Sequence, residues 1–126
     1  KFRIRMTSSR KICVILSKAK YLKKRMMNKH YVYILTNKNK TVLYTGVTND
    51  LTRRLIEHID NIEQGKKTFA AKYRCKHLLY YEQYDWIQET IAREKEIKGW
   101  VRAKKVNLIK SINLDLDFLE EGFLFT

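Results

Sequence analysis

Proline is absent from this chain of 126 residues, glycine occurs 4 times and cysteine twice. So little proline and glycine excludes the collagen-like and low-complexity linker classes. Two cysteines, Cys13 and Cys75, are too few for a disulfide framework and favour a reducing, cytoplasmic setting. No apolar run approaches the roughly 20 residues that a bilayer-spanning helix needs, so we expect no membrane partner. The length suits one domain with a core of its own.

Acidic residues are unevenly distributed along the chain. The net charge is +14, and the first 30 residues contribute +11 because they contain 11 Lys and Arg and no acid. The other 96 residues therefore carry only +3, and residues 115–126 hold four acids and no base. The stretch 31–114 in between keeps a net charge of +7. A basic domain of this kind indicates a polyanionic partner.

The N-terminal part lacks a sustained apolar period. We interpret residues 1–25 as translated upstream sequence, because Met26 and Met27 directly precede the first strand-like run. The alternative is a basic arm that grips nucleic acid or a transit-type leader. We divide the chain into a basic N-terminal extension, a patterned domain and an acidic and apolar C-terminal tail, at residues 1–27, 28–113 and 114–126.

The patterned domain alternates strand-like and helix-like stretches. β-Branched and aromatic residues predict three strands, over residues 31–36, 41–45 and 77–84. The short polar turn 37–40 makes the first two strands an antiparallel hairpin. Capping residues, apolar spacing and glycine stops predict three helices, from Leu51 to Gly65, from Asp85 to Gly99 and over residues 102–111. A basic loop, residues 66–76, separates the first helix from the third strand.

The hairpin places two tyrosines on one face of the sheet. If the turn closes symmetrically, Thr36 faces Thr41 and Tyr33 lies opposite Tyr44. By itself, a pair of this kind has only the packing value of a cross-strand aromatic contact.

The first predicted helix carries charged residues beside its apolar stripe. Arg54 and His58 are four residues apart and share one face. Arg53 and Glu57 have the same spacing, and we interpret them as a solvated surface pair. The apolar stripe consists of Leu51, Leu55, Ile59 and Ile62.

Glu94 is the unusual residue of the second predicted helix. We expect this helix to begin at an N-cap formed by Asp85 and to bury Ile87, Ile91, Ile97 and Trp100. Glu94 lies three residues from both Ile91 and Ile97, on or beside that stripe. A buried, unpaired carboxylate is costly, so Glu94 either reaches the edge of the helix or is compensated by a cation. The alternative is a surface glutamate paired with Arg93, Lys95 or Lys98.

One ordered set of residues resembles a known family. The set consists of Tyr-Val-Tyr at 31–33, Tyr-Thr-Gly at 44–46, Arg53 and Arg54 with His58, and Glu94. It resembles the GIY-YIG nucleases, most of all their small stand-alone bacterial members, over about residues 30–112. The resemblance implies an α+β fold in which a three-stranded antiparallel sheet is flanked by helices. It also implies a metal-dependent endonuclease that hydrolyses phosphodiester bonds, with DNA as the expected substrate. The alternative is a nucleic-acid-binding module that has the fold but little or no catalysis.

The resemblance also implies roles for individual residues. The catalytic residues would be Tyr33, Tyr44, Arg54, His58 and Glu94. Glu94 would be the protein ligand of one Mg²⁺ or Mn²⁺, a hard cation that prefers oxygen. Arg54 would bind phosphate oxygens, and Tyr33 would take the proton from the attacking water. Tyr44 would orient that water or the metal shell, and His58 would assist proton movement.

Two positions depart from the family pattern. Tyr31 replaces the glycine of the first motif, and Val47 stands where relatives in excision repair carry a lysine. No further DNA-binding domain is evident, so target choice would come from this domain or from a protein partner, and we expect no small-molecule cofactor. The candidate nucleic-acid-binding residues are Arg53, Lys66, Lys67, Lys72, Tyr73 and Arg74.

Overall fold

The structure, a computed structural model, describes residues 29–124. Three strands form one antiparallel sheet in the order β2-β1-β3, namely β1 (His30–Thr36), β2 (Leu43–Thr48) and β3 (His77–Tyr84). The helices are α1 (Leu51–Glu63), α2 (Phe69–Lys72), α3 (Ile87–Lys98), α4 (Arg102–Lys110) and α5 (Glu121–Leu124). The predicted α+β class, with helices flanking a three-stranded antiparallel sheet, is therefore confirmed. The interpretations of residues 1–27 lie outside the described residues.

The predicted hairpin register is wrong by two residues. Tyr33 lies opposite Gly46, and Leu35 lies opposite Tyr44. The turn is longer than expected because the Asn37 side chain accepts hydrogen bonds from the backbone N–H groups of Thr41 and Val42, which keeps them out of the ladder. A shift of two residues preserves the side-chain faces of a strand. Tyr33 and Tyr44 therefore still share one face, as diagonal neighbours.

The sheet separates two apolar clusters. Tyr33 and Leu35 point towards α1 and α2, and the cluster on that face also contains Leu51, Leu55, Ala70, Cys75, Leu78 and Tyr81. Val32 and Ile34 point the other way, and their cluster contains Leu79, Tyr80, Ile97 and Ile109. Because alternate residues of a strand face opposite sides, the two tyrosines of the first motif lie on the α1 face and its central residue, Val32, contributes to the other core.

Helix α1 begins and ends at the predicted residues. The Asp50 side chain accepts a hydrogen bond from the Arg53 backbone N–H at the N-cap. At the other end Gly65 has a φ of +70°, the left-handed conformation that glycine adopts readily. The buried face differs from the predicted stripe, because His58 is buried and Ile59 is only half-buried. This rotation brings His58 towards the sheet.

Helix α3 departs further from its prediction. Trp86, not Asp85, is its N-cap, without a side-chain capping bond, and Asp85 instead pairs with Lys29 at 3.3 Å. Ile87 and Ile91 are exposed, whereas Thr90 and Ile97 are buried. This orientation of the helix allows Arg93 to reach the carboxylate of Glu82, which is buried in the sheet.

The segment that follows α4 covers part of the edge of β3. The Leu119 N–H donates to the Leu78 carbonyl at 2.8 Å, and the Glu120 carboxylate accepts from the Leu78 N–H at 2.9 Å. The Phe118 ring stacks on His77 with centroids 3.9 Å apart. None of the helices between residues 29 and 124 combines the length and the apolar character of a bilayer span.

Candidate active site

Tyr33, Arg54 and His58 form a hydrogen-bonded chain on the α1 face of the sheet. The Tyr33 Oη lies 2.9 Å from His58 Nε2, and Arg54 Nε donates to the same Oη at 3.3 Å. Helix α1 starts shortly after β2, and its residues Leu51 and Leu55 pack on the face of the sheet from which Tyr33 projects. The structure thus brings together three of the predicted catalytic residues from two different elements.

Charge and burial set the protonation states of Tyr33 and His58. Burial, aided by the positive charge of Arg54, lowers the pKa of His58 from 6.5 to about 4, so its imidazole is neutral at pH 7. Burial also raises the pKa of Tyr33 to about 12, against the opposing effect of Arg54, so the phenol keeps its proton. In the Nδ1–H tautomer His58 accepts the Tyr33 O–H at Nε2, while the phenol oxygen accepts from Arg54 Nε–H.

Gly46 makes room for the Tyr33 ring. A Cβ at position 46 would lie 2.5 Å from the Tyr33 Oη and 2.6 Å from its Cζ, closer than real Cβ atoms approach. The ring therefore lies directly across the backbone of β2 at its register partner. The glycine of the second motif is needed at this point by a close approach between a side chain and the backbone.

Tyr44 connects this chain to the surface. Its ring meets the edge of His58 with centroids 5.4 Å apart and lies 6.3 Å from Tyr33. On its other side Tyr44 stacks with Phe69 of α2 at 6.3 Å. Tyr44 is half-buried, whereas Phe69 is 52% exposed. A continuous aromatic path thus runs from the buried histidine to solvent.

The two adjacent arginines of α1 are not equivalent. Glu57 binds both, through Arg53 Nη1 at 2.7 Å and Arg54 Nη1 at 2.8 Å. The predicted surface pair of Arg53 and Glu57 is confirmed, with the Arg53 side chain 52% exposed. The Arg54 side chain is only 30% exposed and reaches the Tyr33 hydroxyl. The structure shows that Glu57 also pairs with the partly buried Arg54, which the predicted surface pair did not include.

Glu94 lies on α3, which covers the opposite face of the sheet. Its Oε2 is 2.5 Å from Lys98 Nζ, and its side chain is 15% exposed. This contact is one of the pairings in the alternative prediction of a surface glutamate. Within residues 29–124 no group of three or more His, Cys, Asp or Glu side chains could hold a metal ion. A single, partly exposed carboxylate that already attracts a cation nevertheless fits Mg²⁺, a hard cation that keeps several waters and takes substrate phosphate oxygens as ligands.

The candidate nucleic-acid-binding residues surround α2. This one-turn helix lies within the predicted basic loop and is capped by the Thr68 side chain. The exposed residues on and around it are Lys66, Lys67, Lys72, Tyr73 and Arg74. Arg53 is exposed on α1 and donates to Asn49 Oδ1 at 3.0 Å. The structure adds Lys38, which the sequence did not suggest because the β1–β2 turn meets the predicted basic loop, at Lys76, only in the folded chain.

Comparisons with known proteins agree with these motifs. Residues 29–107 match the family described as the GIY-YIG catalytic domain. The chain is similar to a UPF0213 protein of Staphylococcus saprophyticus, with 42% identity over 83 residues, which are 66% of this chain and 96% of that protein. A UPF0213 protein of Staphylococcus aureus is 40% identical over 84 residues, which are 67% of this chain and 98% of that protein. The solution NMR structure of the UPF0213 protein from Bacillus halodurans is 30% identical, with a TM-score of 0.43, over 68% of this chain and 86% of that one.

Proposed function

The chain belongs to the GIY-YIG nuclease family, and on that premise we propose that it is an endonuclease that hydrolyses phosphodiester bonds in nucleic acid. We propose DNA as the substrate and one Mg²⁺ or Mn²⁺ as the cofactor. The observation that carries this proposal is the hydrogen-bonded chain Arg54–Tyr33–His58. A module that only binds nucleic acid has no need for a neutral imidazole buried behind a phenol, whereas a hydrolase uses such a pair to move a proton.

The proton of the attacking water passes through this chain. The water gives its proton to the Tyr33 Oη as it attacks phosphorus, and the phenol proton moves to His58 Nε2, which lies 2.9 Å away. The phenol is therefore neutral before and after the step, and the histidine becomes the imidazolium. Arg54 binds the phosphate oxygens, because its guanidinium stays charged and offers several donors in a fixed geometry. Tyr44, in edge contact with His58, limits where the water can sit.

Glu94 would hold the cation, and the Lys98 ammonium would have to leave the carboxylate for it to bind. When bound, the cation neutralises charge on the phosphate and stabilises the leaving oxygen. Glu94 and Arg54 lie on helices that cover opposite faces of the sheet. Both faces end at β2, which is an edge strand. The proposal therefore requires a phosphate that reaches groups on both sides of this edge.

The test is nicking of a supercoiled plasmid with Mg²⁺ or Mn²⁺ by the wild type and by Glu94→Gln. We expect the variant to lose metal-dependent nicking and to keep its fold, because the amide preserves size but removes the charge that a hard cation needs. Glu96→Gln is the matched control, since Glu96 is on the same helix and pairs with Arg93 at the surface. Nicking at the wild-type rate by Glu94→Gln would remove Glu94 from the site and favour the binding module. RNA of the same sequence, cut faster than DNA, would change the substrate class.

A further inference from the structure

We propose that the site takes nucleic acid whose bases are unpaired, and that those bases stack on an aromatic surface formed by Phe69 and Tyr73 before the strand enters an adjoining cationic cavity. This inference rests on the proposed function, because it names the substrate form that the same site accepts. It is carried by three features of the described residues: the exposed aromatic rings, the charge of the cavity, and the backbone conformation of Arg74.

The aromatic surface leads away from the catalytic chain. Tyr44 stacks with Phe69, and Phe69 lies 4.8 Å from Tyr73 between ring centroids. Phe69 and Tyr73 are 52% and 42% exposed, which is unusual for two large aromatic side chains in contact. Lys72 Nζ lies 5.5 Å from the centre of the Tyr73 ring, so a cation accompanies the surface. Exposed rings with adjacent cations are the combination that binds single strands, through base stacking and phosphate contacts.

The cavity begins where the aromatic surface ends. It has a volume of about 590 Å³ and is lined by Asn37, Lys38, Asn39, Tyr73, Arg74, Lys76, His77 and Phe118. Three of these residues are Lys or Arg and none is an acid. In the part of the chain that the structure describes, Lys38, Arg74 and Lys76 form no ion pair. Unpaired cations lining one concave site favour a phosphate-bearing ligand.

Arg74 occupies a position where glycine would be more stable. It follows the C-cap of α2 with a φ of 57°, and its N–H donates to the Ala71 carbonyl at 3.1 Å. This left-handed position after a helix normally holds glycine, which lacks the steric penalty of a side chain. The left-handed backbone conformation is less favourable for an arginine than for a glycine. Its side chain lines the cationic cavity, and residues in this conformation are found more often at binding sites.

Paired nucleic acid cannot use the aromatic surface. Inside a duplex each base is stacked between its neighbours, so apart from the two end pairs no base face is free to meet Phe69 or Tyr73. A duplex would contact this surface through phosphates alone, whereas a single strand would add the stacking. We therefore expect the protein to bind single strands more tightly than duplex, and to do so also at higher salt, because base stacking does not depend on counterion release.

The experiment measures binding in EDTA, so that cleavage plays no part. Fluorescence anisotropy gives the affinity for a labelled single-stranded DNA oligonucleotide and for a blunt duplex of the same sequence. We expect single-strand binding to be at least about tenfold tighter than duplex binding, and Phe69→Leu to remove most of that difference, since base stacking is worth about this much per base. Phe69→Trp should retain it, because the larger ring still stacks. Trp86→Leu is the matched control, an exposed aromatic residue at the start of α3 on the other face.

The Arg74→Gly variant distinguishes a binding role from a structural one. We expect its melting temperature to stay the same or rise, while single-strand affinity falls about tenfold. Lys110→Ala, on α4, removes one exposed cation elsewhere and should change affinity much less. A fall in melting temperature with unchanged affinity would overturn the role of Arg74. Self-association that disappears in Phe69→Leu would show that a second copy of this chain covers the surface, and would overturn the inference.

The outcomes separate this inference from the proposed function. Equal affinity for single strand and duplex, with normal metal-dependent cleavage, would refute the substrate form and leave the nuclease. A single-strand preference that depends on Phe69, in a protein that cuts no substrate with either metal, would refute the nuclease and leave a single-strand-binding surface.

Discussion

The two faces of the sheet both bury polar groups, but they do so differently. On the α3 face Glu82 is fully buried and accepts hydrogen bonds from the hydroxyls of Tyr80 and Tyr84, each at 2.5 Å. Arg93 completes the network, with Nε 2.9 Å from one Glu82 oxygen and Nη2 3.0 Å from the other. On the α1 face the buried chain runs from His58 to Arg54, whose side chain is still 30% exposed.

The difference separates a closed network from one that reaches solvent. Every strong donor around Glu82 is used, so the network holds α3 against β3 and has nothing left for a ligand. Burial raises the pKa of Glu82, but the hydrogen bonds from Arg93, Tyr80 and Tyr84 outweigh it, so the pKa is lowered and the carboxylate is ionised. The chain on the α1 face ends at solvent, with an uncharged imidazole at its inner end. Only the second arrangement can accept a proton from outside.

The largest expected effect is that of Tyr33→Phe on turnover. Removing the hydroxyl breaks the proton path, and we expect turnover to fall about 10²- to 10⁴-fold. The cost to stability should be about 1–3 kcal/mol, because His58 Nε2 loses its donor. Single-turnover cleavage and urea denaturation measure the two quantities.

Tyr80→Phe is the control on the opposite face, where the hydroxyl binds Glu82. It should lower stability by a similar amount and leave turnover per folded molecule within about twofold. If both variants lose turnover equally, the distinction between the two networks is wrong.

Next in size is the effect of Arg93→Ala on stability. It leaves the buried Glu82 carboxylate without its cation, and removing one partner of a buried pair costs about 3–5 kcal/mol. The Trp100 ring, 5.2 Å from the Arg93 guanidinium carbon, also loses a cation contact. Urea denaturation measures the loss. A loss below about 1 kcal/mol would mean that the two tyrosine hydroxyls suffice to hold the carboxylate.

The pH dependence of stability should distinguish the same two faces. The folded-state pKa of His58 is about 4 against 6.5 when unfolded, so the unfolded chain binds a proton first as the pH falls. The free energy of unfolding should therefore decrease as the pH falls from 6.5 towards 4. The contribution of Glu82 is lost at lower pH, below its ordinary value of 4.5, because its folded-state pKa is depressed.

His58→Gln should remove the decrease in the free energy of unfolding between pH 6.5 and 4 that we assign to His58, and keep the decrease at lower pH that we assign to Glu82. Denaturation of the wild type and the variant at several pH values measures this. A wild-type stability that is flat between pH 6.5 and 4 would contradict the burial of a neutral imidazole.

The smallest expected effect is that of Arg53→Ala. Its pair with Glu57 is exposed and contributes about 0.5 kcal/mol or less to stability. Its loss should lower nucleic-acid affinity modestly and reduce the salt dependence by about one phosphate contact. Arg54→Ala is the reference and should reduce cleavage far more, because it touches Tyr33. Equal cleavage by the two variants would show that the faces of α1 are misassigned.

Much of the fold was predictable from local pattern. Strand and helix positions follow from the alternation and spacing of apolar residues, and the ends of α1 follow from Asp50 and Gly65, whose effects act within a few residues. The presence of Arg54 and His58 on one helical face likewise needs only the helix period. The motifs were also sufficient to indicate the family, because each is a local stretch of sequence and the set has a specific order and spacing along the chain.

Tertiary structure decided the rest, because those features depend on residues far apart in sequence. The hairpin register differs from the predicted one because the Asn37 side chain binds the turn backbone. The buried face of α3 differs from the predicted one because Arg93 binds Glu82. Both outcomes depend on satisfying polar groups during burial, which no periodicity encodes. The cavity between the β1–β2 turn and the loop after α2 has the same origin. By itself, the sequence determined the candidate residues and their order along the chain. The packed sheet determined which of them meet, because a hydrogen bond between Tyr33 and His58 needs β1 and α1 to be held against each other.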